Sequence, residues 1–360
     1  MRQTARELRA RGIGVEVWTV ARGGEHRVAE DSGVVVRHLP APLPARRLRS
    51  LIGFTWRSPS AYAAWLGAVR AFRPTILHVH CFGPNGLYAL NLHYAKRLPL
   101  VLTSHGETFM DQDGVYEKSH LLRCGLRTAL RRARVVTAPS SYVLARLAED
   151  YGLTVGEVVP NGVAVPPGPA LRVTTSDERY FAAVGRLVRV KGFDLLVRAF
   201  AAARLPADVR LKIAGDGPER GELERLADAL GVRARVDMLG WADSQRVTEL
   251  MTGAIAVVVP SRIEAFGIVA LEAWRAGAPL IMTNIGGGTE LVVDGADGML
   301  VDPEQESVLA RSMEDIASDE PLRQRLSDSG RSRVAGFTWS AVAERYTTLY
   351  REVDERRATP

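Results

Sequence analysis

The chain has 360 residues, 46% of them hydrophobic and 24% charged, a balance typical of a soluble globular protein long enough for two domains. Its two cysteines, Cys81 and Cys124, are too few for a disulfide framework and lack zinc-site spacing, which indicates a reducing compartment. The first residues do not read as a signal peptide, and no apolar run is long enough to span a membrane. We therefore expect a cytoplasmic protein, at most peripheral on the inner membrane face.

The net charge of +6 is unevenly distributed along the chain. Residues 1–160 carry 22 Lys and Arg against 12 Asp and Glu, whereas the remaining residues carry 25 against 29. A basic front half attracts anionic acceptors, lipid headgroups or nucleic acid, although solvated Arg-rich helix faces explain it equally well. The sequence has no zinc-finger or RNA-recognition pattern, so we do not expect a nucleic-acid partner.

Helices and strands alternate through the front half. Residues 2–11 are spaced as an amphipathic helix, so the first element is a helix with no strand before it. Strands are predicted at 14–20, 34–39, 75–80, 98–104 and 133–138, and helices at 61–72, 87–97, 121–132 and 140–151. A basic segment at 46–57 is too short to indicate a membrane-surface helix. This alternation predicts a doubly wound, largely parallel sheet with its site at the carboxyl ends of the strands.

The alternation restarts after a linker predicted at 158–169. Strands follow at 180–184, 211–214, 235–239, 255–259, 280–283 and 298–301, and three helices finish the chain, the last from residue 339 to about residue 352. The sequence therefore predicts an α/β fold with two Rossmann-like halves.

Two carboxylates flank a predicted helix start in the second half. Glu264 lies in the loop after a buried strand, the helix begins near Gly267, and Glu272 lies about one and a half turns inside it. A helix N-terminus suits a phosphate group, and carboxylates accept hydrogen bonds from sugar hydroxyls. This pattern fits a nucleotide-sugar site, and the alternative is one exposed loop glutamate and one solvated helix glutamate.

Four motifs of the second half occur in register with one another. They are Gly185-Arg186-Leu-x3-Lys191-Gly192, Gly215-Asp-Gly-Pro218, Pro260-Ser261-x2-Glu264-Ala-Phe-Gly267-x4-Glu272 and Gly286-Gly287-x2-Glu290. Together they resemble the retaining GT-B glycosyltransferases of family 4. The resemblance implies two Rossmann-like domains facing across a cleft: an acceptor-binding domain at 1–160 and a nucleotide-sugar-binding domain at 161–340. It also implies a C-terminal helix, 341–360, that packs back on the N-terminal domain.

The resemblance implies roles for the charged residues. Arg186 and Lys191 would hold the donor diphosphate, Glu272 would accept the ribose hydroxyls, and Glu264 would lie against the donor sugar. A departing dianion needs fixed cations where a metal is absent, and this family generally uses none, so neither a metal nor a cofactor is expected. The alternatives are a surface arginine and a lysine whose amine reaches solvent.

The remaining implied site residues lie in loops. The donor-binding set comprises Gly185, Gly215, Phe266, Gly267, Ile268, Gly286, Gly287 and Glu290. Gly215 and Gly217 equally fit a tight turn without chemical consequence. His105, at the carboxyl end of a front-half strand, would contact the donor sugar near the reacting centre and completes a catalytic set with Arg186, Lys191 and Glu264.

Other candidate residues of the front half are interpreted as structural. His78 and His80 share one face of a strand and are interpreted as packed, with His80 reaching toward the cleft. Asp111-Gln-Asp113 has the letters of a metal-binding motif from a different transferase fold and is assigned to a loop.

The start of the chain departs from the family pattern. The family begins with a central strand and a Gly-Gly loop, which precede the helix that begins here at Met1. Without that strand, two neighbouring strands would have unpaired edges. We expect that the natural chain begins upstream or that another segment fills the gap. Gly23-Gly24-Glu25 resembles the loop in letters but follows the wrong strand.

The expected reaction moves a sugar from a UDP- or GDP-sugar to an acceptor hydroxyl with its α-configuration retained. The leaving phosphate would take the acceptor proton on the same face of the sugar. The alternatives are a nucleotide-sugar epimerase or phosphorylase of the same fold, and an inactive partner subunit with an incomplete N-terminal domain. The basic front half favours an anionic or membrane-surface acceptor, and the sequence does not fix the donor sugar or its base.

Overall fold

The computed structural model describes residues 1–21, 26–43, 48–111, 114–164 and 178–358. The chain divides into a front unit, Met1–Val159 with Trp339–Pro360, and a back unit, Pro160–Thr338. The Gly23-Gly24-Glu25 motif and the end of the predicted linker, residues 165–169, lie outside the described residues, as do Gln112 and Asp113. None of the helices in the described ranges combines the length and the apolar character that a membrane span requires.

The front unit begins with a helix and a small sheet. Helix α1 (Arg2–Ala10) precedes strands β1 (Glu16–Val20), β2 (Arg27–Asp31) and β3 (Val34–Leu39), which lie in the order β1-β3-β2. β1 runs parallel to β3, whereas β2 pairs antiparallel with β3 through a tight turn. β2 was not predicted, because its residues are mostly polar and exposed and lack an alternating apolar pattern.

The second sheet of the front unit is parallel and has the order β4-β5-β6-β7. Its strands are β4 (Leu77–His80), β5 (Leu100–Thr103), β6 (Val135–Ala138) and β7 (Glu157–Val158). Helices alternate with these strands: α2 (Leu48–Phe72), α3 (Pro84–Lys96), α4 (Val115–Lys118), α5 (His120–Arg132) and α6 (Ser141–Tyr151). The alternation of helix and strand confirms the α/β class for this half of the chain.

A cavity separates the two front sheets. Within the described ranges, β1 and β4 are each hydrogen-bonded to a neighbour along one edge only. A cavity of about 150 Å³ lies beside both open edges and is lined by residues that include Val17, Val79, Leu8, Trp65 and Tyr350. The expectation that a first strand and its Gly-Gly loop are missing from the chain stays a prediction.

Helix α2 begins earlier than predicted. Its predicted span was 61–72, whereas the helix runs through Pro59 from Leu48. Proline has no backbone N–H to donate to the preceding turn of a helix, but Pro59 and Ser60 are exposed, so water can reach the backbone there. Exposure of this turn thus allows the helix to continue where the sequence indicated a break.

The C-terminal helix packs on the front unit, as predicted. Helix α14 (Trp339–Ala358) buries Tyr346 and Leu349 in a cluster with Leu8 of α1 and Val159. The guanidinium of Arg11 also donates to the Ser340 hydroxyl at 2.8 Å. These contacts join the two ends of the chain within one unit.

The back unit is a single six-stranded parallel sheet in the order β10-β9-β8-β11-β12-β13. Its strands are β8 (Tyr180–Val184), β9 (Arg210–Ala214), β10 (Val236–Gly240), β11 (Ala256–Val259), β12 (Leu280–Thr283) and β13 (Met299–Val301). Its α-helices are α7 (Phe193–Ala202), α8 (Arg220–Ala229), α9 (Ser244–Thr252), α10 (Ile268–Ala276), α11 (Gly288–Leu291), α12 (Glu306–Ser318) and α13 (Glu320–Val334). Because the chain reverses its direction of winding between β8 and β11, a crevice is expected at their carboxyl ends.

Candidate functional site

The predicted donor residues gather where the winding of the back sheet reverses. The loop after β8 carries Arg186 and Lys191, and the loop after β11 carries Glu264. β8 and β11 are hydrogen-bonded neighbours, so both loops leave the same edge of the sheet side by side. Ligands of doubly wound sheets bind at such a switch point.

Lys191 and Glu264 form an ion pair that joins these two loops. The Lys191 ammonium donates to Oε2 of Glu264 at 2.7 Å, and the Ser261 hydroxyl donates to the same oxygen at 3.0 Å. Glu264 is only 6% exposed, so the pair and the hydrogen bond compensate for burial of its charge. Sequence reasoning found both charged residues but gave Ser261 no role.

A third loop, after β12, supports the backbone of Glu264. The Glu264 amide donates to the Ile285 carbonyl at 3.1 Å, and the Gly287 amide donates to the Glu264 carbonyl at 2.7 Å. Gly286 lies between these contacts at φ +104°, and a Cβ there would be 2.2 Å from the Glu264 carbonyl oxygen. Only glycine fits this backbone approach, so Gly286 and Gly287 act through the position of Glu264.

Gly215 serves a similar packing role beside β8. A Cβ at Gly215 would lie 1.8 Å from the carbonyl oxygen of Gly185. The close approach of these two backbones explains the glycine without a ligand. Its assignment to donor binding stays a prediction, as does that of Gly185.

Helix α10 begins beside Glu264 without a side-chain cap. Gly267 precedes the helix and supplies no side-chain cap to its first turn. Backbone N–H groups of the first helical turn and the positive end of the helix dipole can therefore bind an anion. The predicted start at Gly267 and stop at Gly277 match the helix as it is observed.

Glu272 is a half-buried carboxylate with its oxygens free among the described residues. Burial raises its pKa, and the nearby Arg275 guanidinium opposes that shift. A desolvated carboxylate without a partner is a good acceptor for hydroxyl groups of a ligand. This geometry favours the predicted contact with ribose hydroxyls.

The other predicted donor residues differ in their exposure. Phe266 is buried against Phe337, so its ring packs in the core of the back unit. Arg186 and Glu290 are exposed, and Ile268 is 42% exposed at the first turn of α10. Exposure leaves the Arg186 guanidinium able to reach a ligand, whereas Phe266 can act only through the fold of its loop.

Three histidines cluster at the carboxyl ends of β4 and β5 in the front unit. Nε2 of His105 lies 3.1 Å from Nδ1 of His80, and the centroid of the tilted His78 ring lies 4.1 Å from that of His80. Burial lowers the pKa of His105 to about 4 and that of His78 to about 3. These histidines are therefore neutral at physiological pH, and each can both donate and accept a hydrogen bond.

His78 is bonded on both ring nitrogens, as its structural interpretation implies. Its Nδ1 lies 2.6 Å from the Tyr350 hydroxyl, and its Nε2 lies 2.7 Å from the Thr103 hydroxyl. The histidine thus connects helix α14 to strand β5. His80 instead contacts His105, which leaves His105 as the outer member of the cluster.

In the part of the chain that the structure describes, no three or more His, Cys, Asp or Glu side chains are arranged so that they could hold a metal ion, and the histidine cluster is no exception. Asp111, from the motif that resembles a metal site, accepts a hydrogen bond from the Tyr116 amide at 3.0 Å. This contact fits its assignment to a loop.

Two family models match almost the whole chain. The model of Glycosyltransferase Family 4 matches residues 1–165, and that of Glycosyl transferases group 1 matches residues 172–333. The chain belongs to the family 4 glycosyltransferases. The family inferred from the four motifs is thereby confirmed, and the chain is a glycosyltransferase, whereas retention of the sugar configuration stays a prediction.

A curated relative of this glycosyltransferase matches over nearly its full length. The D-inositol 3-phosphate glycosyltransferase of Corynebacterium diphtheriae is 29% identical over 385 residues, which covers 96% of this chain and 87% of that protein.

Solved structures show the same two-domain fold. The sucrose-phosphate synthase of Thermosynechococcus elongatus superimposes with a TM-score of 0.81 at 24% identity, covering 99% of this chain and 92% of that one. Anabaena HepE, solved in complex with UDP-glucose, gives a TM-score of 0.72 at 20% identity, covering 89% of this chain and 86% of that one. The predicted GT-B fold with two Rossmann-like domains is confirmed.

Proposed function

We propose that this glycosyltransferase takes its sugar from a nucleoside-diphosphate sugar bound by the back unit. The observation that carries the proposal is the arrangement around Glu264, where Lys191 and the uncapped N-terminus of α10 supply positive charge beside a buried carboxylate. A diphosphate needs such charge, and a sugar needs such acceptors. The HepE complex with UDP-glucose, in the same fold, supports this class of donor.

The proposed contacts follow the chemistry of each group. Lys191 and exposed Arg186 hold the diphosphate, and the α10 N-terminus adds backbone donors. Glu272 accepts the ribose hydroxyls because its oxygens have no described partner. Glu264 accepts hydroxyls of the donor sugar after the phosphates draw Lys191 toward themselves.

The proposed chemistry is substitution with retention on one face of the sugar. The bond between C1 and the phosphate oxygen breaks, and the acceptor oxygen bonds C1 on the same face. The acceptor proton passes to the departing phosphate oxygen, so no side chain forms a covalent intermediate. Lys191, Arg186 and the helix dipole stabilise the charge that develops on the phosphate, which makes a metal unnecessary. His105, neutral at physiological pH, contacts the donor sugar by hydrogen bonding.

We propose an anionic acceptor hydroxyl, such as that of a phosphorylated cyclitol. The excess of basic residues in residues 1–160 attracts anions, and the relative from Corynebacterium diphtheriae is named for an inositol phosphate acceptor. The excess of positive charge in residues 1–160 also fits a reaction at the cytoplasmic face of the inner membrane.

The test is a turnover assay with product analysis. The protein is incubated with UDP- and GDP-sugars, with and without inositol phosphates, and release of the nucleoside diphosphate is measured in buffer containing EDTA. We expect acceptor-dependent release and, by proton NMR, a product whose anomeric configuration equals that of the donor. An inverted product would refute retention, and loss of turnover in EDTA would refute metal independence.

The same assay separates the alternatives. An epimerase would change the donor sugar without any acceptor, and a phosphorylase would require inorganic phosphate. An inactive partner subunit would bind the donor but release no nucleoside diphosphate until a second chain is added.

A further inference from the structure

One carboxylate of the front unit joins the loops that follow two neighbouring strands. Oε1 of Glu107 accepts a hydrogen bond from the Phe82 amide at 3.0 Å, just after β4. Its Oε2 accepts from the His105 amide at 2.7 Å and from the Ser104 hydroxyl at 2.9 Å, just after β5. Because β4 and β5 are paired in parallel, the two loops leave the sheet side by side, and a single side chain can bond both.

The carboxyl group of Glu107 is surrounded by hydrogen-bond donors. In the described part of the chain, no lysine or arginine perturbs its titration. Burial raises the pKa of Glu107 above its ordinary value, although the hydrogen bonds from the backbone and from Ser104 oppose that shift. Because its two oxygens accept hydrogen bonds from donors in different loops, this one side chain fixes both loops.

The loop that Glu107 holds also carries His105. The rings of His105 and His80 stack with an interplanar angle of 19° and a centroid separation of 5.4 Å. Across the 3.1 Å contact between His105 Nε2 and His80 Nδ1, one nitrogen donates a hydrogen bond and the other accepts it. The contact therefore restricts the tautomer of each ring, and it depends on where the His105 backbone lies.

We propose that Glu107 is a positioning residue for His105. Its carboxylate fixes the His105 backbone against the loop after β4, holds the His105 ring against His80, and leaves Nδ1 of His105 as the ring nitrogen that faces substrate. The catalytic half of this proposal rests on the proposed function, in which His105 contacts the donor sugar. The positional half concerns the protein alone and is tested without a substrate.

The positional test compares two isosteric substitutions in histidine-labelled protein. Glu107→Gln replaces one acceptor oxygen by an amide nitrogen, which then faces an N–H donor of one of the loops. Glu117→Gln, at an exposed position of α4 in the same segment, is the matched control. We expect Glu107→Gln to shift the ring ¹⁵N signals of His105 and His80, and Glu117→Gln to leave them unchanged. Unchanged His105 and His80 signals in folded Glu107→Gln protein would overturn the proposal.

The catalytic test measures kcat and KM separately with the same variants. We expect Glu107→Gln to lower kcat by ~10- to 100-fold through misplacement of His105, with the donor KM within about 3-fold, because the nucleotide contacts lie in the back unit. Ser104→Ala removes one of the donors and keeps the carboxylate, so kcat should fall by only about 3- to 10-fold.

The outcomes distinguish the two proposals. If the unmodified chain transfers no sugar from any donor, the proposed function fails, and the histidine signals still decide the role of Glu107. If the unmodified chain is active and Glu107→Gln retains its kcat, the role of Glu107 fails while the proposed function stands.

Discussion

Replacing Lys191 by alanine should lower turnover at least ~100-fold, because under the proposed function the developing charge on the leaving phosphate loses a fixed cation. The Lys191 ammonium lies 2.7 Å from Oε2 of Glu264, where the loop after β8 meets the loop after β11. Its loss also leaves the buried Glu264 carboxylate with the Ser261 hydroxyl as its described side-chain partner. We therefore expect lower turnover together with a loss of about 1–3 kcal/mol in the free energy of unfolding, the cost of leaving a buried acceptor with fewer partners.

Lys212→Ala is the matched control for this substitution. The Lys212 ammonium pairs with Glu178 at 2.6 Å, and its side chain is as shielded as that of Lys191, but it lies on β9 outside the site. The Lys212→Ala variant should lose stability but retain turnover within about 2-fold, since neither Lys212 nor Glu178 belongs to the candidate site. If steady-state assays give Lys191→Ala a near-normal kcat, its assignment to the diphosphate is wrong.

Gly286→Ala should reduce turnover ~100-fold and destabilise the back unit by at least about 2 kcal/mol. The new Cβ would lie 2.2 Å from the Glu264 carbonyl oxygen, at a φ of +104° that alanine rarely adopts. Backbone strain and overpacking each cost about 1–3 kcal/mol, and the displaced segment carries Glu264 away from its position. Chemical denaturation and steady-state kinetics measure the two effects.

Gly295→Ala is the control that separates the steric clash with Glu264 from the cost of placing alanine at a positive φ. Gly295 also has a positive φ, +70°, but a Cβ there meets open space. This variant should lose about 1 kcal/mol of stability and keep its turnover. Equal effects at the two glycines would show that the contact with Glu264 is unimportant.

The sequence predicts the back unit well because its local signals agree with its fold. The β-branched residues of β11 mark a buried strand, and Gly267 and Gly277 bound α10 as predicted. The positions of Glu264 and Glu272 relative to the helix follow from those bounds. The spacing alone does not show the ion pair with Lys191, since 73 residues separate the partners.

The front unit is predicted less completely, for reasons that involve tertiary contacts. The residues of β2 are held by pairing with β3 rather than by an apolar pattern, and α2 continues through a proline that usually ends a helix. The sequence shows Glu107 two residues after His105 but gives no sign of a role for it, because its hydrogen bonds to two strand ends appear only when β4 and β5 are paired.

Binding of the donor to the intact chain tests the central claim most directly. Thermal unfolding is followed with UDP, GDP, UDP-glucose, UDP-N-acetylglucosamine and GDP-mannose, using Lys191→Ala and Lys212→Ala as paired variants. A ligand at 100 times its dissociation constant stabilises the folded state by roughly 2.7 kcal/mol, so a bound donor gives a clear rise in Tm. We predict a rise in Tm with nucleotides of one base, uracil or guanine. This rise is lost in Lys191→Ala and kept in Lys212→Ala. No rise with any nucleotide, or an equal rise in both variants, would contradict a nucleotide-sugar site built around Lys191 and Glu264.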